Sequence, residues 1–245
     1  MTRTRTQPKP ASPPLARKTG KSPDGESSPD TRARLIDAAG EEFAEHGFAK
    51  ATVRDICARA GANIAAVNYH FRDKETLYLE TLRHAHRYSI EHYPHHGGLK
   101  PDAPAKDKLR AFVRAFLAKM LDCKRPKWHG RLISREMTEP TPALTLLIEE
   151  GVRPQFGALC AIVRELAPSV KGDEMEACAA SVIGQALHYH HCNSMIKRLY
   201  TERKDGFPFD LEFLTDHITR FSLAAFDGLE RGAREKNKNR RTNNS

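Results

Sequence analysis

The sequence predicts an all-α protein. Apolar residues recur three and four positions apart through most of the chain, and no stretch alternates apolar and polar residues for long enough to make a strand. Between the periodic stretches stand Thr, Asn, Asp and Gly, the residues that open and close helices by bonding orphan backbone groups or by taking positive φ. No internal repeat interrupts this pattern.

Taken in order, residues 1–30 are rich in Pro, Ser, Thr, Lys and Arg and are expected to form a disordered basic tail, since they bury too little to offset their ordering entropy. A first helix is expected from Thr31 to His46, with Leu35, Ile36, Ala39 and Phe43 on one face, stopped by Gly47. Thr52 caps a second helix, with Asp55 at the third helical position, and the helix ends at Ala60–Gly61. Asn63 caps a third helix through Phe71, and Asp73 opens a fourth that runs toward Ile90 before Pro94, Gly97 and Gly98 break it. Further helices are expected at 104–122, 127–138, 142–166 (kinked by Gly151 and Pro154), 173–200 and 209–230, followed by a second disordered basic tail, 231–245. The expected division is a helix-turn-helix unit at 31–76, with its motif at 52–71, and a larger helical unit at 77–230.

Composition narrows the function. The chain has 245 residues, 39% hydrophobic and 29% charged, with no apolar run near the roughly 20 residues that span a bilayer. No membrane association and no signal peptide are expected, because the basic N-terminus lacks an apolar stretch. Cys57, Cys123, Cys160, Cys178 and Cys192 are scattered without CxxC spacing, which points to reduced thiols and a cytoplasmic protein. The net charge of +9 sits mostly in the tails: six Lys/Arg against three acids in 1–30, six against one in 231–245, and 21 of each in 75–230. Basic tails add salt-sensitive affinity for phosphates without placing a site on the folded body.

Function is carried by residues 52–74. Two short helices are joined by Ala60–Gly61–Ala62–Asn63, with Ile56, Ala60, Val67 and Phe71 spaced to pack together and Gly61 supplying positive φ. The exposed face of the third helix is expected to hold Ala65, Ala66, Asn68, Tyr69 and His70. Small side chains at its start let the backbone approach base edges in a major groove. On that reading Asn68 bonds a base, Ala66 touches a thymine methyl, Asn63 caps, and Thr52, Arg54, Tyr69, His70 and Lys74 hold phosphates.

The run from Ala38 through Phe43 and Gly47, then Thr52, Asp55–Ile56, Ala60–Gly61, Tyr69–His70–Phe71 and Lys74–Glu75 with Leu77, resembles the TetR family signature across residues 31–79. Arg131 to Leu144, Val152–Arg153–Pro154 and Ile183–Gly184–Gln185 resemble the C-terminal domain of its CecR-like subgroup. The resemblance implies a transcriptional regulator, a repressor by expectation, that binds palindromic double-stranded operator DNA as a homodimer and is released by a small-molecule effector of unknown identity. Asn63 stands where Ser or Thr is usual, and Ala65 and Ala66 replace Gly or Pro and Thr, so the operator cannot be borrowed from relatives.

For the remainder, Trp128, Phe116, Arg135, His188 and His191 are candidates to line the effector pocket. Val182, Ile183, Ala186, Leu214, Ile218, Phe221 and Ala225 form apolar stripes expected to pair two protomers as a four-helix bundle. Arg131, Arg135, Glu136 and Glu139 are an interdomain relay, a ligand clamp or a set of solvated ion pairs. No cofactor or bound metal is expected. The alternative is a metal-responsive DNA-binding sensor, because His188, His191 and Cys192 share a helical face. No nucleophile–base pair or HExxH motif supports an enzyme.

Overall fold

Side chains that replace missing helical hydrogen bonds set the starts of the second, third and fourth helices. The computed structural model describes residues 29–122, 124–200 and 209–242; residues 1–28, Cys123, 201–208 and 243–245, where parts of the expected tails and one thiol fall, lie outside it. Helix α1 (Pro29–Lys50) is broken at Gly47, whose φ of 76° and ψ of 166° leave helical space. Thr52 caps α2 (Val53–Ala60), Asn63 caps α3 (Ile64–Phe71) and Asp73 caps α4 (Lys74–His92), each side-chain oxygen accepting a backbone N–H three residues on.

The rest is helical as well: α5 (Ala105–Leu121), α6 (Lys127–Thr138), α7 (Ala143–Leu147), α8 (Arg153–Leu166), α9 (Asp173–His191), α10 (Asn193–Leu199) and α11 (Leu211–Thr242). Among the described residues no strand occurs. The kink expected near Gly151 and Pro154 is a π-helical turn, Ile148–Val152, between α7 and α8. Pro154 has no N–H to give the Glu150 carbonyl four residues earlier. That carbonyl instead lies 3.2 Å from His86 Nε2 on α4, and Gly151 leaves room for the ring, since a Cβ there would meet His86 Cε1 at 2.8 Å.

Two expectations are corrected. The 173–200 stretch divides at Cys192 into α9 and α10, and α11 continues through Thr242 instead of yielding to a disordered tail at 231. The long helix has a reason at Glu230, which is buried and accepts from Ser169 N–H and Oγ at 2.7 Å each, pinning the α8–α9 loop to α11.

Two apolar clusters form the interior. The first joins Leu35, Phe43, Ile56, Val67 and Phe71 of α1–α3 to Leu77 and Leu82 of α4, Trp128 and Leu132 of α6 and Ala143 of α7. The second holds Leu109, Phe112 and Leu117 of α5 with Leu159 and Val163 of α8, Ala179 and Val182 of α9, and Leu214 and Ile218 of α11. The first core therefore crosses the expected border at 76/77, because α4 belongs to both halves.

Candidate nucleic-acid interface

The turn between α2 and α3 is held by three local bonds and one from α1. Gly61 adopts φ 59° and ψ 38°, a left-handed conformation that costs a Cβ-bearing residue energy. Ala62 N–H then reaches the Cys57 carbonyl at 3.0 Å, and the buried Cys57 thiol, pushed up in pKa by burial, donates to Asn63 O at 3.4 Å. Asn63 Oδ1 accepts Ala66 N–H at 2.9 Å. From α1, Arg34 Nη1 donates to the Ala60 carbonyl at 2.7 Å, closing the end of α2. Arg59 binds Glu41, Glu42 and Glu45 at 2.7, 3.1 and 3.0 Å and locks α2 to α1. Thr52 accepts Asp55 N–H at 3.1 Å while its hydroxyl donates to the Asp55 carboxylate, completing the expected capping arrangement.

This frame decides which face of α3 meets solvent. Ala66 is a correction: expected on the outer face, it is only 3% exposed and packs with Val67 and Phe71 against the core. The outward face is Ile64, Ala65, Asn68, Tyr69 and Arg72, with Tyr69 72% exposed and His70 half-buried. At 100° per residue the four helical positions fall on one stripe, rotated by about a residue from the expected one, and Arg72 follows as the C-cap at φ 70° and ψ −50°. Ile64 and Arg72 were missed. Their signal was available: Asn63 as the cap makes Ile64 the first helical residue, and Arg72 is the basic residue directly after Phe71, where the helix was expected to end. Arg54 is exposed, and the Lys74 ammonium sits 4.6 Å from the Phe48 ring centroid, at the start of α4.

Behind the face, α6 grips the three-helix unit. The Trp128 indole, 3% exposed, packs directly on Gly40 of α1, where any Cβ would collide with it. Arg135 lies over the end of α1, with Nη1 3.4 Å from the carbonyls of Ala44 and Glu45, the negative end of a helix dipole. Gly47 makes the approach possible, since a Cβ there would meet Arg135 Nε at 2.8 Å. Tyr78 of α4 donates to the fully buried Glu136, whose other oxygen accepts Thr141 N–H and Oγ1 at 2.8 and 2.9 Å. Burial, and then Glu136, push the Tyr78 phenol well above its ordinary pKa, so it remains the donor.

Three sets of expected residues are not brought together as anticipated. Trp128 and Arg135 serve this interdomain contact, Phe116 stacks on Phe112 in the second core, and His188 and His191 are exposed on α9, so the five do not line one pocket. Val182, Ala186, Leu214 and Ile218 are buried inside the protomer and Ile183 is partly so, whereas Phe221 (60% exposed) and Ala225 face outward. A helix with small or apolar residues all round offers two stripes, and the inner one was chosen. His188, His191 and Cys192 do not converge either, with His191 Nδ1 3.0 Å from the Leu187 carbonyl. Among the described residues the group of three potential ligands that does converge is Glu42, Glu45 and His46, whose acids Arg59 already occupies.

Comparison with known proteins places this geometry. Residues 35–81 match the family model for bacterial regulatory proteins of the tetR family, and residues 105–226 match that for the C-terminal domain of the HTH-type transcriptional dual regulator CecR. The HTH-type transcriptional regulator BetI of Burkholderia thailandensis is 30% identical over 153 residues, 62% of this chain and 77% of that protein. CecR of Shigella flexneri is 31% identical over 140 residues, 54% of this chain and 62% of that protein, so the chain spans less than two thirds of that relative. Two solved structures share the fold. A tetR-family regulatory protein from Rhodococcus RHA1 has a TM-score of 0.58 at 20% identity, covering 80% of this chain and 97% of that one. The regulator PfmR of Thermus thermophilus has a TM-score of 0.55 at 18% identity, covering 78% and 97%.

The fold, the exposed helix and these matches define a DNA-binding transcriptional regulator of the helix-turn-helix class. The chain belongs to the TetR family, with a CecR-like C-terminal domain. Among the described residues, no helix is long and apolar enough to cross a membrane.

Proposed function

We propose that this regulator represses transcription by binding palindromic operator DNA as a homodimer and is released by a small-molecule effector. Residues 31–76 act as the DNA-binding unit and 77–230 as the effector-binding and dimerising unit, with α4 as the lever between them. The observation that carries the reading is the outward stripe of α3, Ile64, Ala65, Asn68 and Tyr69, followed by the exposed Arg72 at its C-cap and presented by a helix whose start, turn and back are all pinned. Asn68 reads a base edge. Tyr69, His70, Arg72 and Lys74, with Thr52 and Arg54 at the start of α2, hold phosphates.

Two protomers pair through the outer stripes of α9 and α11, where Gly184, Phe213, Phe221 and Ala225 are exposed. Pairing sets the two copies of α3 about 34–36 Å apart, one turn of DNA. An effector that favours another separation lowers operator affinity, and the operator lowers effector affinity by the same factor.

Gel-shift titration of Tyr69→Ala and Arg72→Ala against the regulator's own promoter DNA tests the face. Each variant is expected to bind about tenfold more weakly, a change of about 1.4 kcal/mol, with an unchanged melting temperature. Wild-type affinity in both would remove α3 from the interface.

A further inference from the structure

Between α4, α5, α6 and α9 lies an excess of positive charge that the DNA-binding role does not use. Lys119, near the end of α5, is half-buried, its ammonium 5.8 Å from the Phe116 ring centroid. It has no ion pair among the described residues, and the charge that reaches it is the like-signed Arg125. Arg125, in the turn before α6, packs over Gly130 and lies electrostatically beside His129 and His190. His129 is fully buried, and neither of its ring nitrogens has a hydrogen-bond partner among the described residues. Asp122, which accepts from the Tyr93 hydroxyl and from the Lys124 N–H at 2.7 Å, sits beside Arg125 and offsets its charge, which leaves Lys119 as the cation without a counter-charge in this cluster. A shielded ammonium without an anion costs free energy, which an incoming anion recovers.

Shape supplies the second half of the argument. Lys119 lines a narrow cleft with Tyr93, Phe116 and Gln155, of only about 10 Å³. Tyr93 and Ala115 also wall a groove of about 470 Å³, together with Leu99 and Ala118 and with Asp107, Arg110 and Arg114, the two arginines being already paired with Glu212 and Asp216. The groove is within the roughly 300–1,000 Å³ typical of small-molecule sites.

We propose that the effector is an amphipathic organic anion whose acid group pairs with Lys119 while its apolar body lies in the groove beside Tyr93. This rests on the effector-binding reading above and names the chemistry of that site. Because the cleft is small, the acid group enters only when Lys119 or Tyr93 moves. Tyr93 directly follows α4, whose other end is capped at Asp73 beside α3, so the same motion reaches the DNA-binding unit.

Calorimetric titration of the full-length protein with benzoate, 1-naphthoate and octanoate, each against its primary amide, tests the proposal. At least one acid is expected to bind about tenfold or more tightly than its amide, and Lys119→Met is expected to erase that preference. Removing an unpaired cation should not unfold the protein, so the melting temperature of Lys119→Met should equal or exceed the wild-type value. Phenyl phosphate binding in place of the carboxylates would support the site and assign its head group as phosphate. Equal binding of acids and amides, no binding of any anion, an acid preference that survives Lys119→Met, or inorganic phosphate binding as well as the organic acids would each overturn it. Gel shifts on the same preparations separate the two readings. Acid preference without operator binding sinks the regulator mechanism alone, and operator binding without acid preference sinks the anion site alone.

Discussion

At the start of α6 the backbone delivers His129 into a nest of rings: Trp128, Tyr88 and His84 lie 4.1, 5.1 and 5.7 Å from it, centroid to centroid. Burial, then the charges of Arg125 and His84, hold its pKa down at about 4. Above the ordinary histidine value of about 6.5 the ring is neutral in folded and unfolded chains alike, and nothing is lost. As the pH falls below that value the unfolded chain takes a proton that the folded protein refuses until about 4, so stability drains away across this window. The full effect is on the order of 3 kcal/mol. Melting curves at pH 7, 5.5 and 4.5 should show a steeper loss in the wild type than in His129→Phe. Parallel losses would remove His129 as the responsible group.

Helices, rather than single residues, carry the link between the two halves, and α6 shares that task with α4, since both pack on α1. On α6, Trp128 fills the space over Gly40, Arg135 closes the end of α1, and Glu136 holds Tyr78 of α4 together with Thr141. Gly40→Val forces a branched side chain into the indole and should destabilise by about 1–3 kcal/mol in urea titrations. Tyr78→Phe leaves one oxygen of a buried carboxylate without its donor, a loss of about 1–3 kcal/mol. If α6 is the coupling element, Tyr78→Phe should also weaken the effector's power to release operator while apo operator affinity stays within about twofold. Wild-type release by the same effector concentration would assign coupling to another contact.

On the scale of the whole molecule the question is how two copies meet. The inner stripe of α11, with Leu214, Ile218 and Phe226, belongs to the protomer's own core, so the proposed dimer uses the outer stripe, where Phe213 and Phe221 are exposed. Small α9 positions such as Ala180 and Gly184 lie exposed beside it and allow close helix approach. Phe221→Arg should convert the dimer to monomer in sedimentation velocity and lower operator affinity by at least about tenfold through lost bivalency, without changing the monomer's helicity. A dimer that persists in that variant would place the interface on other helices. The basic residues of the two ends are spared by this change, so residual salt-sensitive DNA binding should survive it.

What the sequence by itself determined are the features made by neighbours along the chain. Thr52, Asn63 and Asp73 cap the helices they were expected to cap, because each needs only a backbone N–H three residues away. Gly61 makes the turn for the same local reason, and Pro154 disrupts the helix by lacking a donor. Periodicity alone could not tell which apolar stripe faces inward when a helix has two. That uncertainty put Ala66 outside in place of Ile64 and Arg72, and put Leu214 and Ile218 on a dimer surface instead of in the core. Trp128 against Gly40, Tyr78 against Glu136 and the unpaired Lys119 join or isolate residues far apart in the chain. Only tertiary packing decides such relations, because burial and charge pairing depend on what the rest of the fold brings near.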